Sequence, residues 1–127
     1  MEKRVLIFAP TGQDAALASK MLTLAHVDNL VAPTALQLSA ELAAGVGAVL
    51  TVEEALSGGG LKALTEYVQA QPNWSDLPIV LLAHRGPDSL GVRQAIGVLG
   101  NVTLLERPVR TLTLITSLQS VLRAREK

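Results

Sequence analysis

The stretch VLIFAPTGQD, residues 5–14, carries an apolar run into a polar one, where a hydroxyl (Thr11), a glycine (Gly12) and an acid (Asp14) follow one another. A strand-to-helix crossing of this kind is where α/β sheets hold ligands, because backbone N–H groups converge there. Thr11 and Gly12 are therefore candidates to cradle a phosphate. A phosphate loop needs several glycines and a Lys-Ser/Thr pair, and a dinucleotide fingerprint needs three spaced glycines; neither is present. The competing reading is a turn at Gly12, with Thr11 or Asp14 capping the helix that follows. The two histidines, His26 and His84, have no Cys, Asp or Ser spaced with them as a triad or metal set requires. Both read as polar loop residues, and His84 also as a residue that lines a cleft. Arg85 and Arg107 are placed to bracket an anion, or to pair as ordinary surface arginines, with Glu106 ready as a partner. Trp74, among Pro72, Asn73 and Ser75, either covers the edge of the core or anchors a partner.

Composition narrows what such residues can serve. Eleven Lys and Arg balance eleven Asp and Glu, so no net field draws a nucleic acid or an anionic membrane. Phe8, Tyr67 and Trp74 are the whole aromatic set, too few for a base-stacking platform. There is no cysteine, which removes thiolate metal sites and thiol catalysis and fits a cytoplasmic location. The apolar run near the N-terminus ends at Pro10, too short for a membrane span. The expectation is a cytoplasmic chain without nucleic-acid or membrane partners and without a cofactor. At 127 residues, 49% of them apolar, the length predicts a single domain over residues 1–127, a size that also fits a piece cut from a longer protein.

These residues need a scaffold, and the apolar pattern supplies one. Five short runs, Val5–Ala9, Asn29–Ala32, Ala48–Val52, Ile79–Ala83 and Val102–Leu105, are nearly continuous rather than alternating, as strands covered on both faces are. The second is weak and belongs at an edge. Between them lie helical stretches. Gln13–His26 places Ala15, Ala18, Met21, Leu22 and Ala25 on one face. Thr34–Ala44 has a Thr cap and a stop at Gly45. Glu53–Gln71 is broken by Ser57-Gly58-Gly59-Gly60, leaving Leu61–Ala70 as its body. Ser89–Leu99 and Thr111–Arg125 complete the set, the last with Leu112, Ile115, Leu118, Val121 and Leu122 on one face and Arg123, Arg125 and Lys127 near the negative end of its dipole. The order predicts an α/β, three-layer (βα)5 flavodoxin-like parallel sheet of strand order 2-1-3-4-5, with its cleft at the carboxyl ends of strands 1 and 3.

With RVLIFAP as its opening strand, LPIVLLAHRG (77–86) as its fourth and VTLLERPV (102–109) as its fifth, the chain resembles the receiver domain of two-component response regulators along essentially its whole length. APTGQDAAL, QPNWSDLP and GNVTLLERPVR together look like the receiver-like N-terminal domain of some bacterial hybrid sensor histidine kinases. The resemblance implies a site in which two acids after strand 1 and a phosphoacceptor Asp after strand 3 hold magnesium. A Thr or Ser after strand 4 and a Lys after strand 5 then hold the phosphoryl oxygens. In this chain the acid pair falls on Ala9 and Pro10 and the phosphoacceptor on Thr51, or on Val52 with a slip. The hydroxyl falls on Ala83 and the lysine on Arg107, with Pro108 in register.

Asp14, Glu53 and Glu54 are the acids near enough to form a displaced metal site; the alternative is that they favour helix starts. Thr51 is a poor phosphoacceptor without magnesium and neighbouring acids. The resemblance thus implies a receiver-like domain that is not phosphorylated and is not an enzyme. It would act as a regulatory module toward a histidine kinase, another signalling domain or a second copy, through the face of helix 4, strand 5 and helix 5 (Val92–Leu99, Arg110–Ala124). Exposed apolar or small residues there would support that role. The competing function is a flavodoxin-like sensor of a nucleotide or other anion, contacted by Thr11, Gly12 and Arg107.

Overall fold

The computed structural model describes residues 4–10, 12–56, 59–72, 76–84 and 90–126. The features placed on Thr11, Ser57, Gly58, Trp74, Arg85, Ser89 and Lys127 lie outside the described residues. The elements are β1 (Val5–Phe8), α1 (Asp14–Leu24), β2 (Asn29–Val31), α2 (Ala35–Ala44), β3 (Ala48–Val52), a 3-10 turn (Glu53–Leu56), α3 (Gly60–Ala70), β4 (Ile79–Ala83), α4 (Leu90–Leu99), β5 (Val102–Glu106) and α5 (Thr111–Glu126). The strands form one parallel sheet in the order β2-β1-β3-β4-β5. α1 and α5 pack together, and α2, α3 and α4 pack in succession, so two helical layers sandwich the sheet. This is the α/β flavodoxin-like winding that the alternation of runs predicted.

Burial explains why the runs looked continuous. Every residue of β1, β3 and β4 is buried, with helices on both faces, whereas the edge strands β2 and β5 are only partly covered. α1 docks through Ala18 and Leu22, and α2 through Leu38 and Leu42, each an i,i+4 pair on one face. Full burial of each leucine contributes about 1.5–3 kcal/mol, which outweighs the few tenths that helix propensity adds per residue.

The helix ends follow local chemistry. Thr34 caps α2 by accepting the Gln37 N–H at 3.1 Å, and Gly45 ends it at φ 107°. α1 ends in a Schellman motif: the Val27 N–H donates to the Leu22 carbonyl at 2.9 Å and the His26 N–H to that of Thr23 at 3.1 Å. His26 takes the left-handed position of that motif, φ 62°. A backbone role thus accounts for one of the two histidines.

One expectation is corrected and another extended. Leu112 was expected on the buried face of α5, but it is 72% exposed, and Leu114 and Leu118 are the buried pair. The seam through residues 114, 118, 121, 122 and 125 leaves position 112 well over a quarter-turn away, near the solvent side. Arg125 does more than complement the helix dipole. Its Nη1 donates to the carbonyls of Val46 (2.7 Å) and Gly47 (3.0 Å), while Arg4 Nη2 donates to that of Gly45 (3.0 Å). Two guanidinium groups therefore satisfy the carbonyls of the turn between α2 and β3.

Candidate functional site

Four chain segments meet at the carboxyl edge of the sheet. Ala9 and Pro10 follow β1, Thr51 and Val52 close β3, Ala83 ends β4 with His84 just past it, and Arg107 and Pro108 follow β5. The register pairs Phe8 with Thr51, Thr51 with Leu81, Leu82 with Leu105 and Ala83 with Glu106, which draws these ends together. Thr51 is 1% exposed, and its hydroxyl donates to the Phe8 carbonyl at 2.7 Å. The Arg107 N–H donates to the Ala83 carbonyl at 2.9 Å, extending the ladder one residue past β5 and fixing the arginine beside His84. The Arg107–Pro108 peptide is cis. Gly12 takes φ 71° as the chain turns from β1 into α1.

The Arg107 side chain occupies the middle of this edge. Its Nη2 lies 2.7 Å from Glu54 Oε1 and 3.2 Å from His84 Nδ1, and its Nη1 lies 3.5 Å from Asp14 Oδ2. His84 Nε2 stands 3.5 Å from Glu54 Oε2, and the His84 N–H donates to Glu53 Oε1 at 3.0 Å. One cation thereby ties the end of β5 to the turn after β3, the loop after β4 and the start of α1. Burial raises the Glu54 pKa, but the Arg107 hydrogen bond, its own backbone hydrogen bond and the charges of Arg107 and His84 outweigh that. The net effect holds the carboxyl below its ordinary 4.5.

A lowered carboxylate pKa contributes stability above the unfolded value, and that contribution is lost as pH falls through the folded value. Glu54 is 39% exposed, so solvent limits the term to about 1 kcal/mol or less. Glu54→Gln is therefore expected to flatten the acid limb of the stability–pH profile below pH 5 and to cost little more than that. An unchanged acid limb in urea unfolding would show that the pairing carries no weight.

Several expectations change here. The partner of Arg107 is Glu54, with Asp14 beyond it, and not Glu106, because successive side chains of an extended segment point to opposite faces. Asp14 is not the cap of α1: Gln13 holds that position with no side-chain bond, and Asp14 opens the helix. Glu53 and Glu54 do start a helical turn, yet they also converge on His84 and Arg107. Sequence reasoning weighed those acids as metal ligands or as helix starters and missed the arginine between them. The available signal was positional: the residues just past β3 and just past β5 share one edge of a 2-1-3-4-5 sheet.

Among the described residues no group of three His, Cys, Asp or Glu side chains is arranged to hold a metal ion. No described helix is long and apolar enough to cross a membrane. On the α4–β5–α5 side, Ile96, Val98, Leu104 and Leu112 are exposed.

The winding, the sheet order and the cleft at the strand ends define a CheY-like receiver fold. Solved structures agree. The signal receiver domain of an HD domain-containing protein from Pseudomonas fluorescens superposes with TM-score 0.80 at 18% identity, over 99% of this chain and 98% of that one. A CheY-like response regulator receiver domain protein from Methanospirillum hungatei gives 0.79 at 17%, over 99% and 98%. A response regulator receiver domain protein from Clostridium thermocellum gives 0.74 at 16%, over 97% and 96%. At these identities the likeness establishes the fold. No protein-family model matches the sequence, and no curated protein matches it.

Proposed function

We propose that this chain is a receiver-fold domain of bacterial two-component signalling that does not accept a phosphoryl group by the usual route and acts as a regulatory interaction module. The observation that carries this is the Arg107–Glu54 bond of 2.7 Å at the carboxyl edge of the sheet, where a fixed guanidinium already meets the nearby acid. A hard divalent cation does not fit these residues. Ala9, Pro10 and Ala83 offer no side-chain oxygen, the Thr51 hydroxyl is buried against the Phe8 carbonyl, and Glu54 and Asp14 both face Arg107. Without magnesium and clustered acids Thr51 is not activated as a nucleophile. The fold survives this because apolar strands and helix faces specify it, whereas site side chains are grafted onto it.

A receiver without its phosphoryl ligand lacks the differential binding that would shift it between two states. It therefore presents one face constantly. Ile96, Val98 and Leu104, exposed on α4 and β5 with Leu112 at the start of α5, are the apolar contacts on that face. A histidine kinase, another signalling domain or a second copy is the partner, in the cytoplasm, and the role is regulatory rather than catalytic. Incubation with acetyl phosphate and magnesium chloride, followed by intact mass measurement, is expected to leave the mass unchanged. A gain of one phosphoryl group would overturn the reading.

A further inference from the structure

The sequence holds two sulfur atoms, those of Met1 and Met21, and no cysteine. Met1 lies outside the described residues. Met21 stands on α1 and lines a groove of about 470 Å³ between α1 and the corner where β5 turns into α5, together with Leu17, Val109 and Leu114. It is only half-buried, and Leu17, one turn before it on the same wall, is 55% exposed. Across the groove stands Thr111, the first residue of α5, which is exposed and whose hydroxyl donates to Met21 Sδ at 3.2 Å. The docking of α1 rests on Ala18 and Leu22, so the fold does not depend on this sulfur.

A thioether is a soft, polarisable nucleophile, and its oxidation follows how freely an oxidant reaches the sulfur. Hydrogen peroxide is small against a groove of this volume, since a water molecule takes up about 30 Å³. The sulfur lone pair attacks one peroxide oxygen, an S–O bond forms and the O–O bond breaks. Sulfur is oxidised by two electrons, and the other oxygen leaves as water with the proton of the oxygen transferred. Sulfur is a weak acceptor, whereas the sulfoxide oxygen is a polar one, and the three rotatable bonds of methionine let it swing toward the Thr111 hydroxyl. We infer that Met21 is a peroxide-modification site, with Thr111 as the residue that receives the sulfoxide. Oxidation replaces an apolar part of the groove wall with a hydrogen-bonded dipole and leaves the fold in place. The inference is independent of the phosphoryl question, because neither residue belongs to the strand ends that decide it.

Millimolar hydrogen peroxide, with N-acetylmethionine amide in the same tube and peptide mapping afterwards, gives the rate at Met21. It is expected to fall within about 10-fold of the free thioether, where a methionine sealed in a core would lag further. The oxidised chain is expected to keep a dispersed ¹H–¹⁵N spectrum, with shifts at Leu17, Val109, Thr111 and Leu114 and none at Leu50 or Val80 in the middle of the sheet. Thr111→Val keeps the side-chain shape and removes the donor, so oxidation is expected to lower Tm by about 3 °C more in that variant than in the parent. Met21→Leu, treated in the same way, subtracts any change at Met1. A rate more than about 10-fold below the reference, collapse of the spectrum on oxidation, or equal losses of Tm in the parent and Thr111→Val would each overturn the inference.

Discussion

Gly60→Ala is expected to lower stability by about 3 kcal/mol, at the upper end of what overpacking costs, and the melting temperature by about 10 °C. A Cβ built on Gly60 would overlap the Ala55 carbonyl oxygen and come within 2.7 Å of Phe8 Cε2. Both neighbours are hard to move. Ala55 belongs to the 3-10 turn behind β3, and Phe8 is 2% exposed at the end of β1, with its carbonyl already accepting from Thr51. Alanine is the better helix former by about 1 kcal/mol, but that gain is smaller than the clash and weakest at the first position of a helix, where Gly60 sits. Gly97→Ala separates the two effects. It lies in α4 with nothing within 4 Å of the added Cβ, so it is expected to gain about 0.5–1 kcal/mol. Urea unfolding of both variants checks the pair, and a neutral Gly60→Ala would mean that the turn after β3 repacks freely.

The contrast between those glycines shows where one-dimensional reasoning reached and where it stopped. The runs that became β1, β3 and β4 were legible because strands buried on both faces must be apolar at every position. Thr34 and Gly45 were legible because a cap and a stop are properties of a few consecutive residues. Gly60 within the triplet read only as a helix breaker, since its close approach to Phe8 joins residues that are 52 apart. Leu112 was misplaced because an apolar residue three before Ile115 fits the period whether or not the sheet lies beneath it. At the carboxyl edge, Ala9, Pro10, Thr51, Ala83 and Arg107 could be placed by the order of the strands. The Arg107 contacts to Glu54 and Asp14 could not, because side-chain direction past a strand end depends on the loop.

Thr51→Asp, which places a carboxylate at the position the receiver resemblance marks for the phosphoacceptor, is expected to lose about 3–4 kcal/mol at neutral pH. The side chain is 1% exposed and faces the Phe8 carbonyl, which Thr51 satisfies as a donor. An ionised carboxylate can only accept, so two oxygens of like partial charge would be held together without water. Desolvation therefore raises the Asp pKa in the folded chain above its unfolded value of about 3.9. For a raised acid the unfolded chain ionises first, so the loss is smallest below that value, grows as pH rises through it, and levels off above the folded pKa. The protonated acid can donate to Phe8 as the threonine does. Thr51→Asn, similar in size and uncharged, is expected to lose less and to show no such trend. Weakening of the Glu54–Arg107 pair in acid affects all three chains alike and cancels in the differences. The decisive comparison is urea unfolding at pH 3.5 and pH 7, with and without magnesium. If Thr51→Asp were as stable as the parent at pH 7, the contact with the Phe8 carbonyl would not exclude water from the carboxylate, and if it gained stability from magnesium, the cleft would be able to take the cation after all; a loss indifferent to magnesium means that restoring one carboxylate does not rebuild a site whose centre Arg107 already fills.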